Sequence, residues 1–410
     1  MPNFPATKHK PAQPKINVRD WSPENTDKLI CALETTDWAT LTSDQPNVNK
    51  QAEIITDYIS FTFNECVPVA EKVVKPDKAW MNGKINKLLT ARHYALSHHL
   101  NHQLPQLKSK LQCAIRRAKR KYAANVEQSL KSTNSRQSWK QLKSLLKMNK
   151  PNSKCHLPAE ALNTFYTRFE KDIPPPILPE ITDVTPSVSH EEVMRALHSV
   201  NIKKSSGPDA IPNKLLKIAA YSLGEPLCNL FNTCISQGVF PDIWKMSHII
   251  PIPKKAGADE AKEFRPIALT STISKLFERL LLKFLKPHLT DSTQFAYQQN
   301  RSTEDAVAYL LDIVSQHLDD NAKNHARCLL IDYSSAFNTI SPTTLINQLT
   351  TTSLNRAIVN LVYDFMTNRS QKVCTEHSLS PALSTSVGTP QGCVLSPLLF
   401  SIYVQQMPKP

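Results

Sequence analysis

Along the first hundred residues apolar positions recur at helical spacing, but the pattern is irregular. Ile54, Ile55, Tyr58, Ile59 and Phe63 are spaced to cover one face of a helix. The stretch from Thr26 to about Leu100 reads as helical, with "DKAWMNGKINKLL" opening a further helix. Farther on, Trp139, Leu142, Leu145 and Leu146 share one helical face while Lys140, Lys143 and Lys147 fall elsewhere, the pattern of an amphipathic helix with a basic back. The prolines of "EKDIPPPILPEITDVTPSV" interrupt this periodicity. Beyond them "SHEEVMRALHSV" predicts a helix capped by Ser189, with Glu192 three residues on completing a capping box. Helices and short strands then alternate. Residues 328–331, "CLLI", form a fully apolar run, which predicts a central strand buried on both faces. The resulting division is a disordered lead-in over 1–20, a helical basic region over 21–171, a proline-rich connection over 172–188 and a mixed domain over 189–410.

Charge sharpens this division. Lys and Arg outnumber Asp and Glu by 49 to 35, a formal +14, and residues 105–150 hold 13 of those bases against the single acid Glu127. A polyanionic partner follows, nucleic acid first, with ribosomal subunits and anionic membranes also compatible. Within the basic segment Arg116, Arg117, Lys119, Arg120 and Lys121 are the candidate phosphate contacts, against the alternative of a solvated surface helix. Seven glycines against 30 prolines mean that segment ends are set mostly by proline and polar residues. The nine cysteines form no CxxC pair, their number is odd and the N-terminus is unlike a signal peptide, so reduced thiols in the nucleus or cytoplasm are expected. No run of about 18 apolar residues exists; the nearest, "LFERLLLKFLKPHL", is broken by Glu278, Arg279 and Lys283, so no membrane span is expected. His98 and His102 stand at i, i+4 with His93 and His99 nearby, but without an acid or cysteine in that stretch they read as polar surface rather than a zinc site.

The candidate chemistry lies in six blocks in order: "KKSSGPDAIPNKLLK" at 203–217, "HIIPIPKK" at 248–255, "FRPIALTSTISKLFERLL" from Phe264, "QFAYQQNRSTEDAV" at 294–307, "LIDYSSAFNTI" at 330–340 and "VGTPQGCVLSPLLFSIYV" at 387–404. Taken alone, Asp332 reads as a turn or cap residue at a strand end rather than as a catalyst. Taken in series, the blocks resemble the successive reverse-transcriptase motifs of non-LTR (LINE-type) retrotransposons, from about 190 to 404. Upstream, "DKAWMNGKINKLLTARHYA" and "SWKQLKSLLK" are more loosely similar to the linker that joins endonuclease to polymerase in such elements.

The resemblance implies an α+β fold, a helical basic N-terminal region followed by reverse-transcriptase fingers and an incomplete palm. It implies a polymerase that extends a DNA primer on an RNA template, using deoxynucleoside triphosphates and two magnesium ions, which demand oxygen ligands. Asp332 would be the first metal-binding carboxylate and the Tyr333 carbonyl a second ligand. Ser335 and Ala336 match positions whose N–H groups face the triphosphate, and Phe337 matches the ring that excludes a 2′-hydroxyl. Gln391 and Gly392 would line the nucleotide and template pocket. Lys254 and Arg265 would neutralise the triphosphate, and Lys203 and Lys204 would lie near template.

One element of the family pattern is missing. Members carry a hairpin with paired aspartates, [FY]ADD, after the helix that follows "PQG", and here residues 393–410 contain none. A thumb and an endonuclease also have no counterpart. Three readings follow: a shortened reverse transcriptase unable to catalyse alone, a non-catalytic nucleic-acid-binding protein of retrotransposon origin, or a fragment of an active enzyme. Without hairpin strands, the strand before Asp332 is expected to leave backbone groups unpaired at an exposed edge.

Overall fold

The computed structural model describes residues 15–43, 45–73, 80–131, 138, 142, 155–171, 174–289, 291–320, 324–333, 335–376 and 378–405. The chain forms two compact units, one from residues 1–19 and 69–152, the other from 20–68 and 153–410.

In the smaller unit strand β1 (Lys15–Arg19) pairs antiparallel with β2 (Val69–Val73), so the end of the expected disordered lead-in is strand. Helix Gly83–Ser97 starts where Asn82 accepts the N–H of Ile85 at 3.1 Å. Helix Leu104–Lys131 carries the basic run. Ile85 and Ala95 on the first helix and Leu111 and Val126 on the second are buried, while Arg116, Arg117, Lys119, Arg120 and Lys121 are exposed. The expected basic helix around Trp139 lies outside the described residues except for Ser138 and Leu142.

The larger unit begins with helices Pro23–Glu34 and Val48–Cys66, whose Leu29, Leu33, Ile55 and Ile59 enter the same core as Phe231, Phe277 and Phe365. The composition-based boundary at 172 therefore differs from the division into compact units. The core residues 20–68 sit with the C-terminal part because an amphipathic helix is placed by the surface that buries its apolar stripe, which composition does not record. The Ser189 and Glu192 capping box forms as expected at helix His190–His198, with Glu192 N–H donating to Ser189 Oγ at 3.2 Å and Ser189 N–H to Glu192 Oε2 at 2.8 Å.

A four-stranded sheet stands in the order β4, β3, β5, β6: β3 is Met246–Pro253, β4 Phe264–Leu269, β5 Arg369–Val373 and β6 Leu383–Thr385. Pro251 faces Pro266 across β3 and β4. Neither has an N–H, so this can only be a pair without ladder bonds, and the antiparallel alternation follows from it. The alternation aims Ile249 and Ala268 away from each other, and both find outside partners. The Ala268 N–H donates to Gln391 O at 2.8 Å, and Ile249 O accepts the Cys374 N–H at 2.9 Å. Helix Ala159–Tyr166 covers one face of this sheet, burying Leu162 and Tyr166 against Ile249, Ala268 and Val373. Asn163 locks it there, donating to Ser380 Oγ and Pro381 O at 2.9 Å each and accepting from Gln371 Nε2 at 2.9 Å.

The expected central strand over 328–331 is a correction. These residues form no strand, and Leu329, Leu330 and Ile331 are 84%, 89% and 65% exposed. An apolar run becomes a buried strand only when neighbours take its backbone groups, and no described strand pairs with this one. Helix Thr303–Asp320 before it likewise has no buried residue.

Candidate functional site

Two loops meet beside the edge of β4. The turn at 336–340 follows Ser335, whose φ of 61° is left-handed. The loop 387–392 is stitched to it by the Gly388 N–H donating to Ile340 O at 2.8 Å and the Thr389 N–H to Phe337 O at 2.7 Å. Its other side is held by the Ala268 N–H to Gln391 O bond described above. Gly388 and Gly392 are required at these approaches. A Cβ on Gly388 would meet the Asn338 backbone at 2.7 Å, and one on Gly392 would meet Ala268 O at 2.6 Å, both at positive φ. Thus "FRPIAL", "AFNTI" and "GTPQG", far apart in sequence, are fixed to one another through main-chain bonds.

A cavity of about 660 Å3 opens between them. Its lining includes Lys254, Arg265, Asp332, Tyr333, Ser335, Ala336, Phe337 and Gln391. The sequence-derived candidates are therefore brought together, with Gly392 immediately behind Gln391 against β4. Lys254 follows β3, where its ammonium donates to Lys262 O at 2.7 Å and its backbone N–H to Glu263 O at 2.8 Å. Nearby Lys255 pairs with Glu263 at 2.6 Å, and that bond holds the Glu263 carboxyl down at about 2. Phe337 stands against Phe400 and Tyr297, with ring centroids 5.4 and 6.0 Å away.

Two cations escaped the sequence reading. Lys262 and Arg168 also line the cavity, Arg168 lying over the rings of Phe165 and Phe169 at 3.7 and 4.1 Å. Arg168 sits just past helix Ala159–Tyr166, in a segment assigned by composition to the basic linker. "FYTRF" interleaves aromatic and basic residues, which is the only signal that could have marked it. A third omission is Glu278, fully buried on helix Thr272–Leu285. Its Oε2 accepts the N–H of Val394 at 2.6 Å and of Leu395 at 3.1 Å, and its Oε1 accepts the Ser274 hydroxyl at 3.1 Å. It anchors the loop to the start of helix Ser396–Val404.

Lys203 and Lys204 do not reach the cavity lining. Their loop is drawn instead toward helix Thr272–Leu285, because Asn213 donates to Lys204 O at 3.0 Å and accepts the Thr272 hydroxyl at 2.6 Å. In the smaller unit, Lys84, Lys110, Arg117 and Lys121 line a separate groove of about 460 Å3, and Lys119 lies 5.2 Å from the Trp80 ring. His98 stacks on Tyr94 at 4.0 Å. All nine cysteines are free thiols. Among the described residues no helix is long and apolar enough to cross a membrane.

Reverse transcriptases use magnesium, and the donor set at the cavity can be tested against that need. Asp332 is the one carboxylate in the lining, and the described residues form no cluster of three His, Cys, Asp or Glu. One carboxylate and the Tyr333 carbonyl do not make a two-ion site, which takes further oxygen ligands.

Comparison with known proteins agrees with the geometry. Residues 252–410 match the family model described as reverse transcriptase (RNA-dependent DNA polymerase). The chain is similar to the probable RNA-directed DNA polymerase from transposon BS of Drosophila melanogaster, 31% identical over 226 residues that cover 54% of this chain and 25% of the relative. It is also similar to the RNA-directed DNA polymerase from mobile element jockey of Drosophila melanogaster, 25% identical over 229 residues (54% and 25%). The probable RNA-directed DNA polymerase from transposon X-element of the same fly is 27% identical over 225 residues (53% and 24%). The chain spans about a quarter of the length of these curated relatives. Residues 252–410, which supply most of the lining of this cavity, are thus a reverse transcriptase domain similar to those of non-LTR retrotransposons.

Proposed function

We propose that the cavity binds a deoxynucleoside triphosphate opposite an RNA template, for extension of a DNA primer, and that catalysis needs carboxylates beyond those the described residues bring to it. The observation that carries this reading is the lining itself, with Lys254, Lys262, Arg265 and Arg168 facing a single acid, Asp332. Lys262 pairs with Glu260 at 2.7 Å, and the remaining three cations around one carboxylate favour a polyanion. Arginine's planar fork suits phosphate oxygens, and such fixed charges also stabilise the charge that develops as the primer 3′-hydroxyl displaces pyrophosphate. Phe337, held by Phe400 and Tyr297, supports a role in discriminating the sugar. The exposed bases of helix Leu104–Lys131 support contact with nucleic-acid phosphates that is indifferent to sequence. Nucleic-acid binding without catalysis is a second reading, favoured by the lone carboxylate.

Nucleotide binding and primer extension test the two parts separately. Deoxynucleotide binding by the full chain, followed by displacement of a fluorescent analogue, should weaken at least about tenfold in Arg265→Ala, as expected for loss of a hydrogen bond to a charged group. Absence of binding at millimolar nucleotide would sink the cavity assignment. Primer extension on an RNA template with magnesium should yield no product that depends on Asp332. Extension by the wild type that Asp332→Ala abolishes would overturn the view that this chain needs further carboxylates.

A further inference from the structure

The smaller unit carries two grooves along one pair of helices. Near the turn that joins helices Gly83–Ser97 and Leu104–Lys131, a groove of about 590 Å3 is lined by Asn86, Lys87, Thr90, Tyr94, Gln103 and Leu107. Tyr94 is 58% exposed. Its ring stacks on His98 with centroids 4.0 Å and planes 26° apart, and His98 is held in turn by its Nδ1–H donating to Tyr94 O at 3.1 Å. One histidine of "RHYALSHHLNH" thus braces an aromatic ring that the fold keeps at the surface.

Farther along the same helices lies the groove of about 460 Å3, where Lys84, Lys110, Arg117 and Lys121 stand around Leu88 and Ala114. Leu107, Lys110, Ala114, Arg117 and Lys121 follow one another at intervals of three or four residues, so they share one side of helix Leu104–Lys131. The two grooves therefore succeed each other along that side. On helix Gly83–Ser97 the order is reversed, with Tyr94 at the first groove and Lys84 at the second, as in an antiparallel pair. From Leu107 to Lys121 the track is about 21 Å long, at the helical rise of about 1.5 Å per residue. Neither lining includes an acid, and none of the five cations, Lys87 included, is paired with an acid of the described residues.

These features narrow the ligand. Unpaired cations in a row call for a polyanion, an exposed ring for a flat group to lie on it, and the amides of Asn86 and Gln103 for groups that both give and accept hydrogen bonds. An acidic peptide answers the charge alone. Duplex nucleic acid answers it too, but keeps its bases stacked inside, out of reach of Tyr94. We propose that the crevice between these two helices is a track for single-stranded RNA, with one base stacked on Tyr94 and the adjoining phosphates running along Lys110, Arg117, Lys121 and Lys84. The ribose 2′-hydroxyl, both donor and acceptor, gives Asn86, Thr90 and Gln103 a partner that DNA lacks. This rests on the reading that the unit contacts nucleic-acid phosphates, and adds to it a choice of strand state and sugar.

The test is binding of labelled RNA of about ten nucleotides to the full chain, as a single strand and as a blunt duplex, with single-stranded DNA of the same sequence alongside. Tyr94→Leu keeps an apolar side chain but loses the flat face, whereas Tyr94→Phe keeps the face. Affinity for single-stranded RNA should fall about tenfold in Tyr94→Leu and stay within about twofold in Tyr94→Phe, with duplex affinity and salt dependence unchanged in both. Single-stranded RNA carrying iodouridine should crosslink under ultraviolet light to the peptide that contains Tyr94, which separates this site from other RNA contacts of the chain. Wild-type affinity in Tyr94→Leu, while changing Lys84, Lys110, Arg117 and Lys121 together to Gln still lowers the salt dependence, would overturn the track and leave the phosphate reading standing. If neither change has an effect, both fail. An equal loss for RNA and DNA strands would show that the crevice ignores the sugar and would overturn the choice of RNA.

Discussion

The buried carboxylate of Glu278 accepts the backbone N–H of Val394 at 2.6 Å, across 116 residues of chain. Because Leu395 donates to the same oxygen, one side chain closes both N–H groups that enter helix Ser396–Val404 and so sets where the loop carrying Gln391 ends. Replacing Glu278 by Ala would leave two buried N–H groups without an acceptor, at about 1 to 3 kcal/mol each. A loss of about 2 to 5 kcal/mol in the denaturant unfolding free energy is expected. A loss below about 1 kcal/mol would show that the loop finds other partners.

The same residue makes stability depend on pH. Burial pushes the Glu278 carboxyl above its ordinary 4.5, with the Leu395 and Val394 N–H donors, the buried Arg369 charge and the Ser274 hydroxyl only partly offsetting this. The folded state therefore binds the proton more tightly than the unfolded one. Its contribution is complete below about 4.5 and is lost as pH rises through the folded value. The Ser274 hydroxyl, which now donates to Oε1, can turn to accept from the protonated acid. Relative to Glu278→Gln, which does not titrate, the wild type is expected to lose stability from pH 4.5 to 7.5. Denaturant midpoints at several pH values decide this, and parallel curves for the two proteins would contradict it.

Gly392 offers a steric check on the nucleotide cavity. A methyl group there would meet Ala268 O at 2.6 Å, so Gly392→Ala must push the loop off β4 and stretch the Gln391 O bond to the Ala268 N–H. The expected cost is about 1 to 3 kcal/mol of stability, with a further loss of deoxynucleotide binding. Nucleotide affinity equal to that of the wild type would separate the loop from the binding site.

Phe337 is expected to set the preference between sugars. Its ring is braced by Phe400 and Tyr297, so Phe337→Ala opens space without disturbing Asp332. Competition of ribo- against deoxynucleoside triphosphate should show the wild type preferring the deoxy form and the variant losing much of that preference. An unchanged ratio would make the ring a packing group.

The exposed bases of helix Leu104–Lys131 should bind RNA through counterion release. Changing Arg116, Arg117, Lys119, Arg120 and Lys121 to Gln should reduce the slope of log affinity against log salt by about three to four, if all five reach phosphates of single-stranded RNA. Titrations at four salt concentrations measure it, and an unaltered slope would assign these side chains to solvent.

The sequence by itself determined the local features and the order of the motif blocks. The Ser189 capping box and the concentration of positive charge on one helix follow from neighbours in the chain, as do the small residues near Asp332. Lys254, Arg265, Phe337 and Gln391 were singled out by the resemblance of their motif blocks, which stand in the family's order along the chain. Tertiary structure alone decided what those segments touch. Whether "CLLI" is a strand depends on a partner for its backbone, and no strand among the described residues provides one. Glu278 looked like a charge interrupting an apolar run, and only the fold shows the two distant N–H groups that justify its burial. Arg168 and Arg369 were single basic residues in unrelated stretches until helix packing and strand pairing set one at the nucleotide cavity and the other behind it. Periodicity and motif record interactions a few residues apart, whereas a buried charge is defined by whatever the folded chain brings to meet it.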